Sequence, residues 1–280
     1  MNTLLVADYS ALEVVILADL TLRLFGDNQL ALAVQPGAPD IHCENARMVY
    51  GSFLGWRVPE RFNVDGKPQL CTYAGETVDK IPTADFKKHP YGAFLRGNIK
   101  TTFYGWCYGK RGYGFATLDD GNGGMIGEKA GDEVVAGLLA AMPGLGKWER
   151  WVEGYVDEHH GIYSLGGRWC DLSTEMSSGE DWMRRWAYRR ALNFPSQASA
   201  ADIIGDALNR VQGCWELRAL EYETCLQVHD ELVMRGPEEL VGEAGGLLRH
   251  HMVSATANGT RLIVPLQVSV GHGADYFEAK

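Results

Sequence analysis

Two carboxylates near opposite ends of the chain offer the clearest chemistry. Leu4-Leu5-Val6-Ala7-Asp8-Tyr9-Ser10 is an apolar run ending at an acid, and Leu226-Gln227-Val228-His229-Asp230-Glu231-Leu232-Val233 is an apolar run broken by a turn with two more. Runs of this length, rich in Val and Leu, read as buried strands. A carboxylate at the end of such a strand is costly to bury without a cationic partner. A divalent metal is the economical partner, and acids from separate strands suit a pair of Mg²⁺ ions supporting phosphoryl transfer.

Cations appear elsewhere with helical spacing. Arg96, Lys100, Tyr104 and Tyr108 recur at four-residue steps, so they share one face of a helix. Two cations followed by two rings suit a nucleoside triphosphate, the cations on its phosphates and a ring against sugar and base. The alternative is a basic, solvated face with half-buried tyrosines. Arg189, Asn193 and Gln197 repeat the spacing with mostly neutral groups. Their amides suit base edges and sugars in a minor groove, or simply water.

The elements that must position these groups alternate between strand and helix. Residues 1–8 form a strand and 11–26 a helix, with Leu12, Ile16, Leu20 and Leu24 apolar. Asp40–Tyr50 reads as helical. Residues 51–92 are broken by Pro59, Gly66, Pro68, Gly75, Pro82 and Pro90, and form a loop-rich insertion with a hairpin expected at Asp65-Gly66. A strong helix follows from Phe94 to Gly109, a glycine-rich turn over 121–131, and mainly helix over 134–163. Leu165-Gly166-Gly167-Arg168 suits a hairpin turn. Residues 182–211 read as a helix interrupted near Pro195, and strands are expected at 222–229, 231–235 and 263–270 around a helix at 237–255.

Composition narrows the class. The chain has 280 residues, 46% of them hydrophobic, which is ample for a core. Six cysteines without a C-x-x-C pair indicate neither zinc nor a disulfide framework, hence a reduced, cytoplasmic protein. No apolar run nears the roughly 20 residues of a membrane helix, so no membrane association is expected. The net charge of −10 is awkward for a nucleic-acid binder, whose grip comes mostly from Lys and Arg.

Taken together and in order, these segments resemble the DNA polymerase I family, family A. Asp8-Tyr9-Ser10-Ala11-Leu12-Glu13 matches D-Y-S-x-x-E, and Arg96, Lys100, Tyr104 and Tyr108-Gly109 match the family's cationic helix without a gap. Gln227–Glu231 reads Q-V-H-D-E. Asp40-Ile41-His42, Arg189, Asn193, Gln197 and Val264-Pro265-Leu266…Gly271-x-Gly273 also match. Val14-Val15 stands where the family usually has Leu-Arg, and Asp19 where it has His.

The resemblance implies an α+β fold: an antiparallel palm sheet with packed helices over 1–36 and 176–280, and mostly helical fingers over 37–175. It implies template-directed transfer from dNTP to a primer 3′-hydroxyl on primer-template DNA, with two Mg²⁺ ions held by Asp8, Asp230 and the Tyr9 carbonyl. Glu231 is the family's third acid. Arg96 and Lys100 would clamp the triphosphate with His42 assisting, Tyr104 would stack on the incoming nucleotide, and Glu13 would exclude a 2′-hydroxyl. Tyr108, Arg189, Asn193, Gln197 and His229 would contact DNA.

Seven residues precede Asp8, where the family places a thumb and often an exonuclease. Both are therefore expected to be absent, either as in a split, phage-like enzyme whose thumb comes from a second polypeptide or as in a truncated polymerase of poor processivity. The competing readings are a catalytically inactive DNA-binding or scaffold subunit, and a single-subunit RNA polymerase. Glu13 and the Q-V-H-D-E turn argue for deoxynucleotides.

Overall fold

A strand apolar on both faces must lie inside a sheet with cover on each side, and the first strand does so. β1 (Asn2–Tyr9) has Leu5, Val6, Ala7 and Tyr9 buried. In the computed structural model, which describes residues 2–54, 80–120 and 123–280, the helix α1 (Leu12–Phe25) follows. It is buried from Val14 through Thr21, as an all-round apolar helix should be. Gly26 ends it in the left-handed conformation, its N–H returning to Leu22 O.

Next come α2 (Gln29–Ala33), α3 (Ile41–Ala46), a π-helical turn over Arg47–Phe53, α4 (Thr83–Phe86) and α5 (Pro90–Cys107). Then follow α6 (Glu128–Ala141), α7 (Pro143–His159), the hairpin β2 (Gly161–Tyr163) and β3 (Trp169–Asp171), and α8 (Ser173–Met176). The chain continues through α9 (Asp181–Gly213), α10 (Trp215–Ala219), β4 (Glu223–Val228), β5 (Glu231–Pro237), α11 (Val241–Val253), β6 (Val268–Gly273) and α12 (Tyr276–Ala279). The expected hairpin at Asp65-Gly66 lies outside the described residues, as do Gly121 and Asn122.

The chain divides into two units. Met1–Gly26, Gly161–Asp171 and Phe194–Lys280 form the first, and Asp27–His160 with Leu172–Asn193 the second. The first holds an antiparallel sheet in the order β4-β5-β1-β6. Helices α11 and α12 pack on β1 and β6, where Val6, Val233 and Ala279 form a core with Leu4 and Tyr276 against it. The second unit is helical, with α3 and α6 packed on α5.

Three expectations need correction. The last strand begins at Val268, not 263, because the amides of Ile263 and Val264 donate to the buried carboxylate of Asp19 (2.5 and 3.1 Å) and so are lost to a ladder. Arg23 pairs with the same carboxylate and donates to Arg261 O at 2.7 Å. The helix expected to break near Pro195 runs unbroken through it in α9. A proline removes one bond and crowds the preceding turn, but here the neighbouring turns carry on. The glycine-rich turn is shorter than expected, since α6 already starts at Glu128.

Candidate active site

The carboxylate cluster lies in the first unit and follows from strand register. β1 pairs antiparallel with β5 so that Asp8 faces Glu231, and with β6 so that Asp8 faces Ser269. Asp230 sits in the two-residue turn between β4 and β5, and its carbonyl accepts from Tyr9 N at 3.3 Å. His229, the other turn residue, has φ 54°, a conformation uncommon for residues other than glycine. Gln227 Nε2 donates to His229 O at 2.9 Å and holds the turn shut. Tyr9 is buried, and its hydroxyl donates to Met252 O at 2.7 Å, fixing the backbone beside Asp8.

The electrostatics of the cluster call for a cation. Burial raises the Asp8 carboxyl above its ordinary value, Asp230 and Glu231 raise it further, and Lys280 opposes them. Asp230 is raised mainly by burial as well. Glu231 is 1% exposed, and neither carboxylate oxygen has a hydrogen-bond partner among the described residues, although Lys280 Nζ stands 2.8 Å from Oε2. No three His, Cys, Asp or Glu side chains among the described residues are gathered as a ready cage. Two carboxylates and a carbonyl, completed by water and substrate phosphates, is the sparse ligation that Mg²⁺ accepts. The residues fit the ion.

Glu13, in the first turn of α1, accepts a hydrogen bond from Gln197 Nε2. Sequence reasoning placed these two in different roles, whereas the fold joins them.

In the second unit, α5 presents the cationic face. Pro90 starts it, with the His89 side chain accepting from Tyr91 N at 3.2 Å. Leu95, Ile99, Phe103 and Trp106 are buried, which leaves Arg96 and Tyr104 half-buried and Lys100 and Tyr108 exposed. Lys100 Nζ lies 5.9 Å from the centre of the Tyr104 ring. Arg96 donates two hydrogen bonds, 3.0 and 2.8 Å, to Asp40 Oδ2. The other Asp40 oxygen caps α3 by accepting from His42 N and Cys43 N. Burial works to raise the Asp40 carboxyl, but the Arg96 hydrogen bond and charge and the Cys43 amide outweigh it and hold it below the usual range.

His42 is buried, its Nδ1 has no hydrogen-bond partner among the described residues, and its ring lies 5.6 Å from those of both Phe103 and Tyr104. Burial, with Arg96 and Lys100 nearby, pushes its pKa down to about 4, so the ring is neutral at pH 7. A cavity of about 780 Å³ is lined by Lys100, Tyr104, Tyr108, Lys110, Arg111 and Arg189, among others. Gly109 ends the helix at φ 74°, and any Cβ there would lie 2.6 Å from the Arg189 stem. Only glycine lets Arg189 approach so closely.

The structure thus gathers Asp8, Tyr9, Asp230, Glu231 and His229 in one unit, with Glu13 bonded to Gln197, and His42, Arg96, Lys100, Tyr104, Tyr108 and Arg189 in the other. Asn193 lies between Arg189 and Gln197 on α9. Sequence reasoning missed Lys280 and the pairing role of Asp40. Only the D-I-H match singled out Asp40, and nothing in the local pattern marks Lys280.

The model of "DNA polymerase family A" matches residues 79–278. The chain belongs to DNA polymerase family A. Among relatives of this family A chain, DNA polymerase I of Chloroflexus aurantiacus is 29% identical over 97% of the chain and 24% of its own length. The thermostable DNA polymerase I of Thermus filiformis is 30% identical over 99% of the chain and 27% of its own length. Among solved structures, the POL domain of Pol1 from M. smegmatis, in complex with DNA primer-template and dNTP, superposes with a TM-score of 0.73 at 28% identity. That match covers 99% of this chain and 40% of the other. The chain therefore spans about a quarter of the length of these curated relatives. No described helix of the family A chain is long and apolar enough to cross a membrane.

Proposed function

We propose that this chain catalyses template-directed DNA synthesis, joining a deoxynucleotide from dNTP to a primer 3′-hydroxyl with release of pyrophosphate. The observation that carries the reading is the register that sets Asp8 opposite Glu231 beside the Asp230 turn, although these residues are far apart in sequence. Asp8 and Asp230, half-buried beside the buried Glu231 and with carboxyls raised above their ordinary values, mark a site made for cations. In this reading the sheet-bearing unit is the palm and the helical unit the fingers.

Asp8, Asp230 and the Tyr9 carbonyl would hold two Mg²⁺ ions, and Glu231 would steady the cluster. Such ions, when bound, neutralise phosphate charge and make the primer hydroxyl easier to deprotonate. The chain's own residues then do the positioning. Arg96 and Lys100 take the triphosphate oxygens, and neutral His42 offers a ring N–H without adding charge. Tyr104 supports the base and sugar, and Glu13 blocks a 2′-hydroxyl. Tyr108, Arg189, Asn193, Gln197 and His229 hold primer and template. Catalysis on this plan is alignment plus charge stabilisation, with no side-chain base required.

Primer extension with Mg²⁺ and a labelled recessed primer tests the reading. Wild type should extend, while Asp230→Asn should lose roughly a hundred- to a thousandfold in rate, the scale of removing one main electrostatic contact. Extension by Asp230→Asn at near wild-type rate overturns it.

A further inference from the structure

Helix α9 carries Trp182, Arg185, Trp186, Arg189 and Asn193 at the spacing of a single helical stripe. Trp182 is 59% exposed and Trp186 39%, while Ala187, Ala191 and Leu192 on the same helix are buried. The helix thus has its core contacts elsewhere, and two indoles one turn apart remain in water. The Arg190 guanidinium lies 5.2 Å from the centre of the Trp186 ring. Arg184 pairs with Asp157 at 3.2 Å, but Arg185 and Arg189 meet no carboxylate at ion-pairing distance among the described residues.

We infer that this stripe is a track for single-stranded DNA, the unpaired template ahead of the primer end. Base faces are free to stack on indole only where the strand is unpaired, so exposed tryptophans select it over duplex. Cations between the rings answer the phosphates, in a chain whose net charge of −10 otherwise repels DNA. The two tryptophans stand one turn apart, about 6 Å along the axis, which suits bases spaced about 3.4 Å apart along a strand. Arg189 also lines the 780 Å³ cavity beside Tyr104 and Tyr108, so the track leads to the rings of the nucleotide face. The assignment of a template to it rests on the polymerase reading above.

The test measures binding of the full chain at low salt to a labelled oligo-dT strand and to a blunt hairpin duplex, by anisotropy, beside primer extension on a one-nucleotide overhang. Trp182→Ala/Trp186→Ala should lose at least about fivefold in affinity for the single strand, the lower end of what base–aromatic stacking supplies. Its duplex binding and one-nucleotide extension should be unchanged, and Trp182→Tyr/Trp186→Tyr should retain single-strand binding. Equal binding by wild type and the Ala variant, equal losses on both DNAs, or no wild-type binding to oligo-dT would overturn the inference. A chain that binds oligo-dT through the tryptophans yet extends no primer would refute the polymerase reading alone, leaving the single-strand track standing.

Discussion

Lys280 Nζ stands 2.8 Å from Glu231 Oε2, so the residue facing Asp8 across the sheet carries its own cation. The lysine is about half exposed, while the acid it meets is buried. It also lies over the Tyr276 ring and donates to that hydroxyl at 3.0 Å, which keeps it in place. Because it opposes the upward shift of both Asp8 and Asp230, it helps to keep the cluster ionised.

Lys280→Met should therefore raise the Mg²⁺ concentration needed for half-maximal extension and move the acidic limb of the pH–rate profile to higher pH. Both acids must lose their protons to hold the ions, and the variant makes that harder. Lys280→Arg should restore both. Extension assayed between about pH 6 and 9 over a Mg²⁺ titration checks this, and an unmoved profile in the Met variant refutes it.

The raised acids also carry a stability cost without metal. A group whose folded pKa exceeds its unfolded one binds more protons when folded, so stability falls as pH rises through that window. In EDTA, Asp8→Asn or Asp230→Asn should melt higher than wild type at pH 7, by about 2–4 °C for a gain on the order of 1 kcal/mol. The difference should shrink at pH 4, where the wild-type acids become protonated. Thermal melts at the two pH values decide the matter.

Glu13 and Gln197 should act as one device for sugar selection, since the amide holds the carboxylate. Glu13→Ala should raise ribonucleotide incorporation relative to deoxynucleotide, and Gln197→Ala should do so more weakly. The double variant should match Glu13→Ala rather than sum the two, because contacting residues are not additive. Single-nucleotide incorporation ratios give the answer.

His229 holds a left-handed turn conformation at a site where glycine would sit without strain. His229→Gly should leave stability unchanged or raise it by up to about 1 kcal/mol, the lower end of what such strain costs. Primer extension should nevertheless fall, with the loss in primer-template affinity rather than in dNTP KM. A variant both less stable and fully active would show the ring serving the fold alone.

Much of this was legible in the chain, for physical reasons that differ by residue. Asp8 and Asp230 end apolar runs, and the four-residue repeat from Arg96 survives any neighbour, so strand ends and helix face were readable. The start of the last strand was not, because it depends on Asp19, a buried acid that takes the amides of residues 263 and 264. Pro195 misled because the local cost of a proline says nothing of the long helix around it. Lys280 and Asp40 act through partners that are distant in sequence, and no local pattern announces such a pair.

β1 lies between β5 and β6, and one of its side-chain hydrogen bonds, from Thr3 to Gly273 O, joins residues 270 positions apart. A chain made at about 5–20 residues per second would keep this strand waiting roughly 10–50 s for both neighbours. Throughout that interval two bare edges of a Leu- and Val-rich segment are open to wrong pairing. Ribosome-bound chains arrested before β5 should therefore depend on a holding chaperone, and a circular permutant that begins at β4 should be released from that dependence.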